Sequence, residues 1–231
     1  KSDWDARARE NARYYIATSV SSDEEAFSRS GRHDVDLFFD GKQDLLHGQA
    51  AVLDVGCGIG RMDEFVAPQV GKLIGIDVSG SMIEQAWQRL GHMSNVVFVE
   101  GDGWKLEPVS DTAIDLVFSH IVFQHMPRRV ATSYFWEAWR ILKPGGSFIF
   151  QVPEISDETP DDPPESDTFE MRFYEPDDLR AQLVYIGYEW VECRKYPVES
   201  PRARFNQLRI HVRKPDWRLF RKPEALNRHR R

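Results

Sequence analysis

Apolar residues recur at helical spacing from Trp4 through Ala8, Ala12, Tyr15 and Ile16, while Arg7, Arg9 and Arg13 fill much of the remainder. This pattern predicts an amphipathic helix with one buried face. A second helix is expected from Ser22, whose hydroxyl can cap the first turn while Glu25, three residues on, completes a capping box; Gly31 offers its stop. Residues 1–48 therefore read as a helical cap. From residue 51 short apolar runs alternate with helical stretches, as in a parallel sheet covered on both faces. The runs predict strands at Ala51–Val55, Lys72–Asp77, Val96–Glu100, Ile114–Ser119 and 147–152. Helices are expected at 62–67, 81–89 and 130–142, followed by turn signals such as Gly91 and Pro144-Gly145-Gly146. The whole makes five β–α units in order.

Residues 154–170 hold eight acidic side chains and no Lys or Arg, and three of their residues are proline, so they read as a loop. A further helix is expected at 175–186, where Pro176 suits a first turn, and two strands at 188–196 and 206–213. In the last, Leu208, Ile210 and Val212 alternate with Arg209, His211 and Arg213, as in a strand with one face buried. The division that results is a cap or lid over 1–48, a main domain over 49–214 with an acidic loop at 153–174 on its substrate side, and a basic tail over 215–231.

Composition narrows the class. A chain of 231 residues suits one α/β domain with a modest extension. No apolar stretch approaches the roughly 20 residues of a membrane span, and no basic segment followed by an apolar one opens the chain. The only cysteines are Cys57 and Cys193, too few for a disulfide framework, so a reducing cytoplasm is the expected location. The net charge of −7 hides an asymmetry: residues 201–231 carry eleven Lys/Arg against Asp216 and Glu224, leaving about −16 elsewhere. An acidic body repels phosphate backbones. Neither a nucleic-acid nor a membrane partner is expected, and the tail reads as a solvated segment.

The strongest local feature is Val52-Leu53-Asp54-Val55-Gly56-Cys57-Gly58-Ile59-Gly60-Arg61, a buried strand that runs into glycines and then a helix. Glycines there let the chain turn sharply and let a ligand approach the backbone. A dinucleotide fingerprint spaces them G-x-G-x-x-G; here they fall as G-x-G-x-G, with Asp54 two residues ahead. A carboxylate that close repels a pyrophosphate and favours a ligand bearing an ammonium or a sulfonium. Asp77, ending the second strand in Gly75-Ile76-Asp77-Val78-Ser79, is placed either to accept hydrogen bonds from both ribose hydroxyls or to cap a helix. Gly101-Asp102-Gly103 ends the third strand, where the carboxylate can take an adenine amine or simply shape a turn.

In this order the motifs VLDVGCGIGRM, GIDVSGSMIEQA, GDG, IDLVFSHIVFQHM and WRILKPGGSFIFQVP resemble the class I S-adenosylmethionine-dependent methyltransferases, especially the group called methyltransferase type 11. The likeness is close over about 48–152 and looser elsewhere. It implies a Rossmann-like, doubly wound α/β fold with a seven-stranded, mostly parallel sheet, its last strand antiparallel and helices on both faces. It also implies S-adenosyl-L-methionine as cofactor and S-adenosyl-L-homocysteine as product. By the same resemblance Asp54, Gly56, Cys57, Gly58 and Gly60 surround the methionine portion, Asp77 the ribose, Val78 and Met82 the adenine edges, and Asp102 with Gly103 or Trp104 the adenine. The backbone around Ser119 would meet the methionine ammonium. Arg61 either touches the cofactor carboxylate or solvates its helix.

Methyl transfer is an in-line displacement, so positioning and exclusion of water carry most of it. A hydroxyl acceptor must also lose a proton, which suits a histidine. His120 and His125 follow the fourth strand; either is a candidate base, and either can instead be a packed or loop-anchoring residue. No carboxylate or thiolate accompanies them, so no metal site is expected. The same segment lacks the Asn/Asp-Pro-Pro-aromatic and Pro-Cys motifs of base-methylating enzymes. The acceptor pocket is expected to draw on the N-terminal helices, the segment after the fourth strand, and the acidic loop with Phe169, Arg172, Phe173 and Tyr174. Tyr14 and Tyr15 would close over the cofactor, or pack as core. The leading reading is O-methylation of a small molecule such as a sugar or secondary metabolite. Amine N-methylation and a non-catalytic cofactor-binding module are alternatives, while the glycine spacing and Asp54 disfavour a nicotinamide oxidoreductase. Oligomeric state is not legible.

Overall fold

In a computed structural model, residues 2–107, 109–157, 159–199 and 204–220 are described. Seven strands form one sheet in the order β3-β2-β1-β4-β5-β7-β6. Strands β1 (Ala51–Val55), β2 (Lys72–Asp77), β3 (Val96–Glu100), β4 (Ile114–Ser119) and β5 (Leu142–Pro153) run parallel. Strand β7 (Arg204–Arg213) lies between β5 and β6 (Glu189–Glu199), antiparallel to both. The first four strands begin and end where the apolar runs predict. Strand β5 begins earlier: the expected Pro144-Gly145-Gly146 turn is a bulge inside it, with Gly145 at φ +85° and a register shift against β4.

Both faces are buried, as parallel strands require. Helices α5 (Arg128–Ile141) and α6 (Pro176–Ile186) cover one face, where Phe123, Phe135, Phe148 and Phe150 pack together. Each of these rings is fully buried, contributing roughly 1.5–3 kcal/mol relative to exposure. Helices α2 (Glu24–Phe38), α3 (Asp63–Val66) and α4 (Gly80–Leu90) cover the other, with Phe38, Phe39, Leu73, Phe118 and Ile149. Between β3 and β4 the described residues form no helix.

Three expectations need correcting. The second helix is capped by Asp23, whose side chain accepts from the Ala26 N–H at 3.0 Å, and it runs through Gly31 to Phe38. A Cβ on Gly31 would lie 2.4 Å from the Arg61 carbonyl oxygen; this glycine serves close packing of α2 on the glycine loop. Next, α2 belongs to the main core, so of the expected cap over 1–48 only helix α1 (Ser2–Ile16) lies over the site. Finally, β7 is internal, and Arg209 is buried with its apolar neighbours.

Helix α1 breaks at Asn11 (φ −166°, ψ 87°), whose side chain accepts from the Tyr14 N–H at 3.1 Å. Its first part docks on α4: Asp5 accepts from Ser79 Oγ and the Ser81 N–H, both at 3.0 Å. Ala8 and Ala12 pack with Phe27, Ile59 and Met82. Of the basic tail, Trp217–Phe220 forms a 3₁₀ turn; residues 221–231 lie outside the described residues. No helix among the described residues is long and apolar enough to cross a membrane.

Candidate functional site

The C-terminal ends of β1 to β4 open into a cavity of about 440 Å³, the usual ligand position in a doubly wound sheet. Its floor is the glycine loop. The N–H groups of Gly56 and Cys57 both donate to Ile76 O, at 2.7 and 3.1 Å, and the chain then turns through Gly56 at φ +81° and Gly58 at φ +54°. A side chain at either would be strained. A Cβ on Gly56 would also lie 2.5 Å from Val122, and one on Gly58 3.0 Å from Ile16 of α1. The loop is therefore pinched between the segment after β4 and the N-terminal helix. Gly60 does not line the cavity; a Cβ there would strike Leu90 of α4 at 2.8 Å.

Asp77 clamps the loop. Its two oxygens accept from the Gly58 N–H (3.0 Å) and the Ser79 N–H (2.9 Å). Burial raises its pKa and these N–H groups oppose the rise. The cap of α4 is Ser79, which accepts from the Met82 N–H, so Asp77 is the wall residue and not the cap. Val78 and Met82 also line the cavity. Asp102 is on the wall with Gly103 and Trp104, one oxygen accepting from the N–H groups of Trp104 (2.7 Å) and Lys105 (2.8 Å). Its slight burial opposes ionisation, but these bonds outweigh it and hold the carboxyl below its usual range. Arg129 stacks over the Trp104 ring at 5.0 Å and Ser133 Oγ donates to Trp104 O, so α5 braces this wall.

Asp54 lines the cavity, buried, with Oδ1 lacking any donor. Burial first, then the neighbouring Asp63, pushes its pKa well up. Burial likewise raises the thiol of Cys57, which also lines the cavity. Arg61 is neither solvated nor free: it pairs with Asp34 (2.6 Å), donates to Ser30 Oγ (3.0 Å), and leaves only Nε unpartnered. Ser119 is buried behind the wall, its Oγ donating to Val55 O at 2.8 Å, which ties β4 to β1.

The two histidines part company. His125 Nδ1 meets Phe169 O at 2.8 Å, which must accept, so Nδ1 carries the proton and Nε2 accepts from Gln124 at 3.2 Å. Both nitrogens are engaged, and Nδ1 tethers the acidic loop. His120 stands edge-on to Phe38 (5.5 Å), lines the cavity, and has no protein hydrogen-bond partner among the described residues. Burial pushes each imidazole down to about 4, so both are neutral at pH 7. Between them Ile121 sits at φ +58°, a rare conformation for a β-branched residue, of order 1–3 kcal/mol in strain.

The roof comes from α1 and the acidic loop. Trp4, Tyr15 and Ile16 line it with Thr168, whereas Tyr14 points outward, 43% exposed. Arg7 joins the two halves: it donates to Thr168 O (3.5 Å) and Oγ1 (3.3 Å) and stacks between Trp4 (4.8 Å) and Phe169 (5.0 Å). Contrary to expectation, Phe169, Arg172, Phe173 and Tyr174 do not line the cavity. Arg172 is 2% exposed and shapes the loop by donating to the carbonyls of Pro164 (2.8 Å) and Asp167 (2.9 Å). Three of the loop's acids are in ion pairs, Asp162 with Arg128, Glu165 with Arg129 and Glu154 with Lys195. Among the described residues no cluster of three His, Cys, Asp or Glu could hold a metal.

Sequence reasoning missed Asp63. It is fully buried against Asp54, and the available signal was its helical spacing from the buried Val66.

An unpartnered carboxylate oxygen at one end, a glycine cradle where any Cβ would intrude, and an acidic nucleoside-side wall fit a ligand that joins a cationic amino-acid portion to an adenosine. A profile described as a methyltransferase domain matches residues 53–150. Trans-aconitate 2-methyltransferase of Afipia carboxidovorans is 33% identical over 110 residues, 46% of this chain and 40% of that protein. Phosphoethanolamine N-methyltransferase 1 of Arabidopsis thaliana is 32% identical over 141 residues, 61% of this chain and 28% of that protein. The chain thus spans well under half the length of these relatives. A solved SAM-dependent methyltransferase from Aquifex aeolicus superposes with a TM-score of 0.57 at 21% identity, covering 83% of this chain and 98% of that one. Residues 53–150 carry a methyltransferase domain of the type 11 group of the class I methyltransferases, a family whose methyl donor is S-adenosylmethionine.

Proposed function

We propose that this chain methylates a small-molecule acceptor, most simply at a hydroxyl oxygen, in the cavity beneath α1 and the acidic loop. S-adenosylmethionine, when bound, supplies an electrophilic methyl group on a sulfonium. Asp54 and the glycine loop would hold its amino-acid portion, Asp77 the ribose, and Val78, Met82 and Asp102–Trp104 the adenine. The roof residues Trp4, Tyr15 and Ile16 exclude water, which strengthens the attraction between buried carboxylates and a cationic ligand. The backbone turn at Ile121 carries the chain from His120 to Val122 along the cavity wall.

The observation that carries the oxygen reading is His120: a neutral imidazole on the cavity wall without a protein partner. A hydroxyl attacking a sulfonium methyl must shed a proton, and His120 has a free lone pair to receive it, one that burial makes less basic than that of an exposed imidazole. His125, bonded at both nitrogens, has none. The relative named phosphoethanolamine N-methyltransferase favours a second reading, methylation of an amine. A neutral amine attacks with its own lone pair and needs no enzymic base.

The substitution His120→Asn separates the two. With an accepted hydroxyl substrate, found by screening sugars, phenols and amines for a mass gain of one methyl, kcat should fall about 10²–10⁴-fold while affinity for the donor stays unchanged. A fall under about threefold with an amine acceptor moves the assignment to nitrogen; transfer to no acceptor leaves a donor-binding module.

A further inference from the structure

Asp54 is the penultimate residue of β1 and Asp63 opens α3, on opposite sides of the glycine loop, and their carboxyls face each other at hydrogen-bond range. Asp63 is fully buried and Asp54 is 5% exposed. No N–H or O–H among the described residues reaches either oxygen of Asp63 or Oδ1 of Asp54. Two carboxylates so placed repel each other strongly, and a proton held between them is the one donor left to join them. The surrounding charges do not relieve the pair. Arg61, the nearest cation, is neutralised by Asp34 of α2. Asp77, from the end of β2, adds a further negative charge. Cys57 of the glycine loop and His120 after β4 are both neutral at pH 7. Only Asp54 of the pair opens on the cavity.

We infer that Asp63 is a positioning residue for the methyl donor: it shares a proton with Asp54 in the empty site, and that proton leaves to solvent when a ligand carrying an ammonium and a sulfonium settles against Asp54. The inference rests on the donor site assigned above. Nothing is oxidised or reduced; one O–H bond breaks and its proton goes to bulk water. The arriving positive charge replaces the proton as the counter-charge of the pair. The site therefore holds two negative charges with its ligand and one without it. Burial raises both carboxyls, Asp54 further than Asp63, so the pair keeps its shared proton at neutral pH and donor affinity depends on pH. Each pH unit of acidification costs up to about tenfold in affinity, the limit for one proton released.

The test is calorimetric titration of the full chain with S-adenosylmethionine in buffers of different ionisation heat, from pH 5.5 to 8.5, beside the variant Asp63→Asn. The ligand's own amine contributes equally to both proteins, so the difference in protons exchanged isolates the pair. The wild type should release up to one proton more than the variant, because burial alone still raises Asp54 in Asp63→Asn but the second carboxylate is gone. Its affinity should fall more steeply with acid than that of the variant. Equal proton counts and parallel pH profiles overturn the role of Asp63. If Asp63→Asn does not fold, the wild type decides alone: buffer-independent heats with a flat affinity from pH 5.5 to 8.5 overturn it. No binding at any pH overturns the donor assignment and this inference with it; binding without proton exchange overturns only the inference.

Discussion

Gly31→Ala sets two effects of known sign against each other. In an isolated helix the change would stabilise α2 by about 1 kcal/mol, because glycine is the poorer helix former. In the fold the new Cβ would meet Arg61 O at 2.4 Å, Arg61 Cγ at 3.0 Å and Arg61 C at 3.1 Å. The first of these is a backbone atom and cannot swing aside, so helix and loop must part by about 1 Å at a cost of roughly 1–3 kcal/mol. Parting them also lengthens the bonds from Arg61 to Asp34 (2.6 Å) and Ser30 (3.0 Å), both on α2. Arg61 is 6% exposed, and a buried charge whose partner is removed outright costs about 3–5 kcal/mol; even a fraction of that outweighs the helix gain. The net expectation is a loss of about 1–3 kcal/mol. At about 2–4 °C per kcal/mol for a chain of this size, Tm falls by roughly 2–12 °C. Donor affinity should weaken as well, because the glycine loop shifts. The assay is thermal and urea unfolding of Gly31→Ala beside Asp36→Ala, a control at an exposed position on the same helix. A Gly31→Ala protein as stable as the wild type would mean that α2 does not press on Arg61 and that the packing account is wrong.

Arg7→Ala removes the cationic link between α1 and the acidic loop, leaving the Thr168 to Asp3 hydrogen bond (3.2 Å), without touching the sheet; it should raise KM for donor and acceptor about 3–10-fold with Tm changed by less than about 2 °C, in keeping with a half-exposed site, and unaltered kinetics would show that the roof closes by other means. His211, outside the cavity and bonded to Ser147 Oγ at 3.0 Å, is pushed down to about 4 by burial. Between pH 6.5 and 4 the unfolded chain therefore binds more protons at this residue than the folded one, and stability falls as pH falls. His211→Gln should flatten that fall by up to roughly 2–3 kcal/mol at pH 4; urea midpoints with the same pH slope in both proteins would exclude the contribution.

Legibility followed burial. Strands β1 to β4 are apolar runs ended by loop residues, and because both their faces are buried, local hydrophobicity and tertiary position agree. Asp54, Asp77 and Asp102 were legible for the same reason: each stands at a strand end, which in this fold is a wall of the cavity. Gly31 was misread because glycine is locally the best helix stop, and only the approach of Arg61, thirty positions along, explains it as a contact. Arg209 was misread because alternation reports one covered face, while α2 covers the other as well: Leu37 O accepts from Arg209, and its guanidinium lies 5.2 Å from the Phe38 ring.

The histidines mark where sequence stops. Five residues apart on one segment, His120 and His125 differ in bonding because Phe169, 44 positions beyond His125, returns its carbonyl to one of them and no described residue returns a hydrogen bond to the other. That return is set by Arg172, whose buried guanidinium gathers the carbonyls of its own loop, a geometry without sequence periodicity. Asp63 is the opposite case. Its spacing from Val66 put it on the buried face of α3, and a carboxyl on such a face needs a partner or a proton. With Arg61 already held by Asp34, the demand falls on Asp54. The residue least expected to matter, an acid in a first helical turn where acids are ordinary, thereby becomes the one through which the charge of the donor site responds to pH.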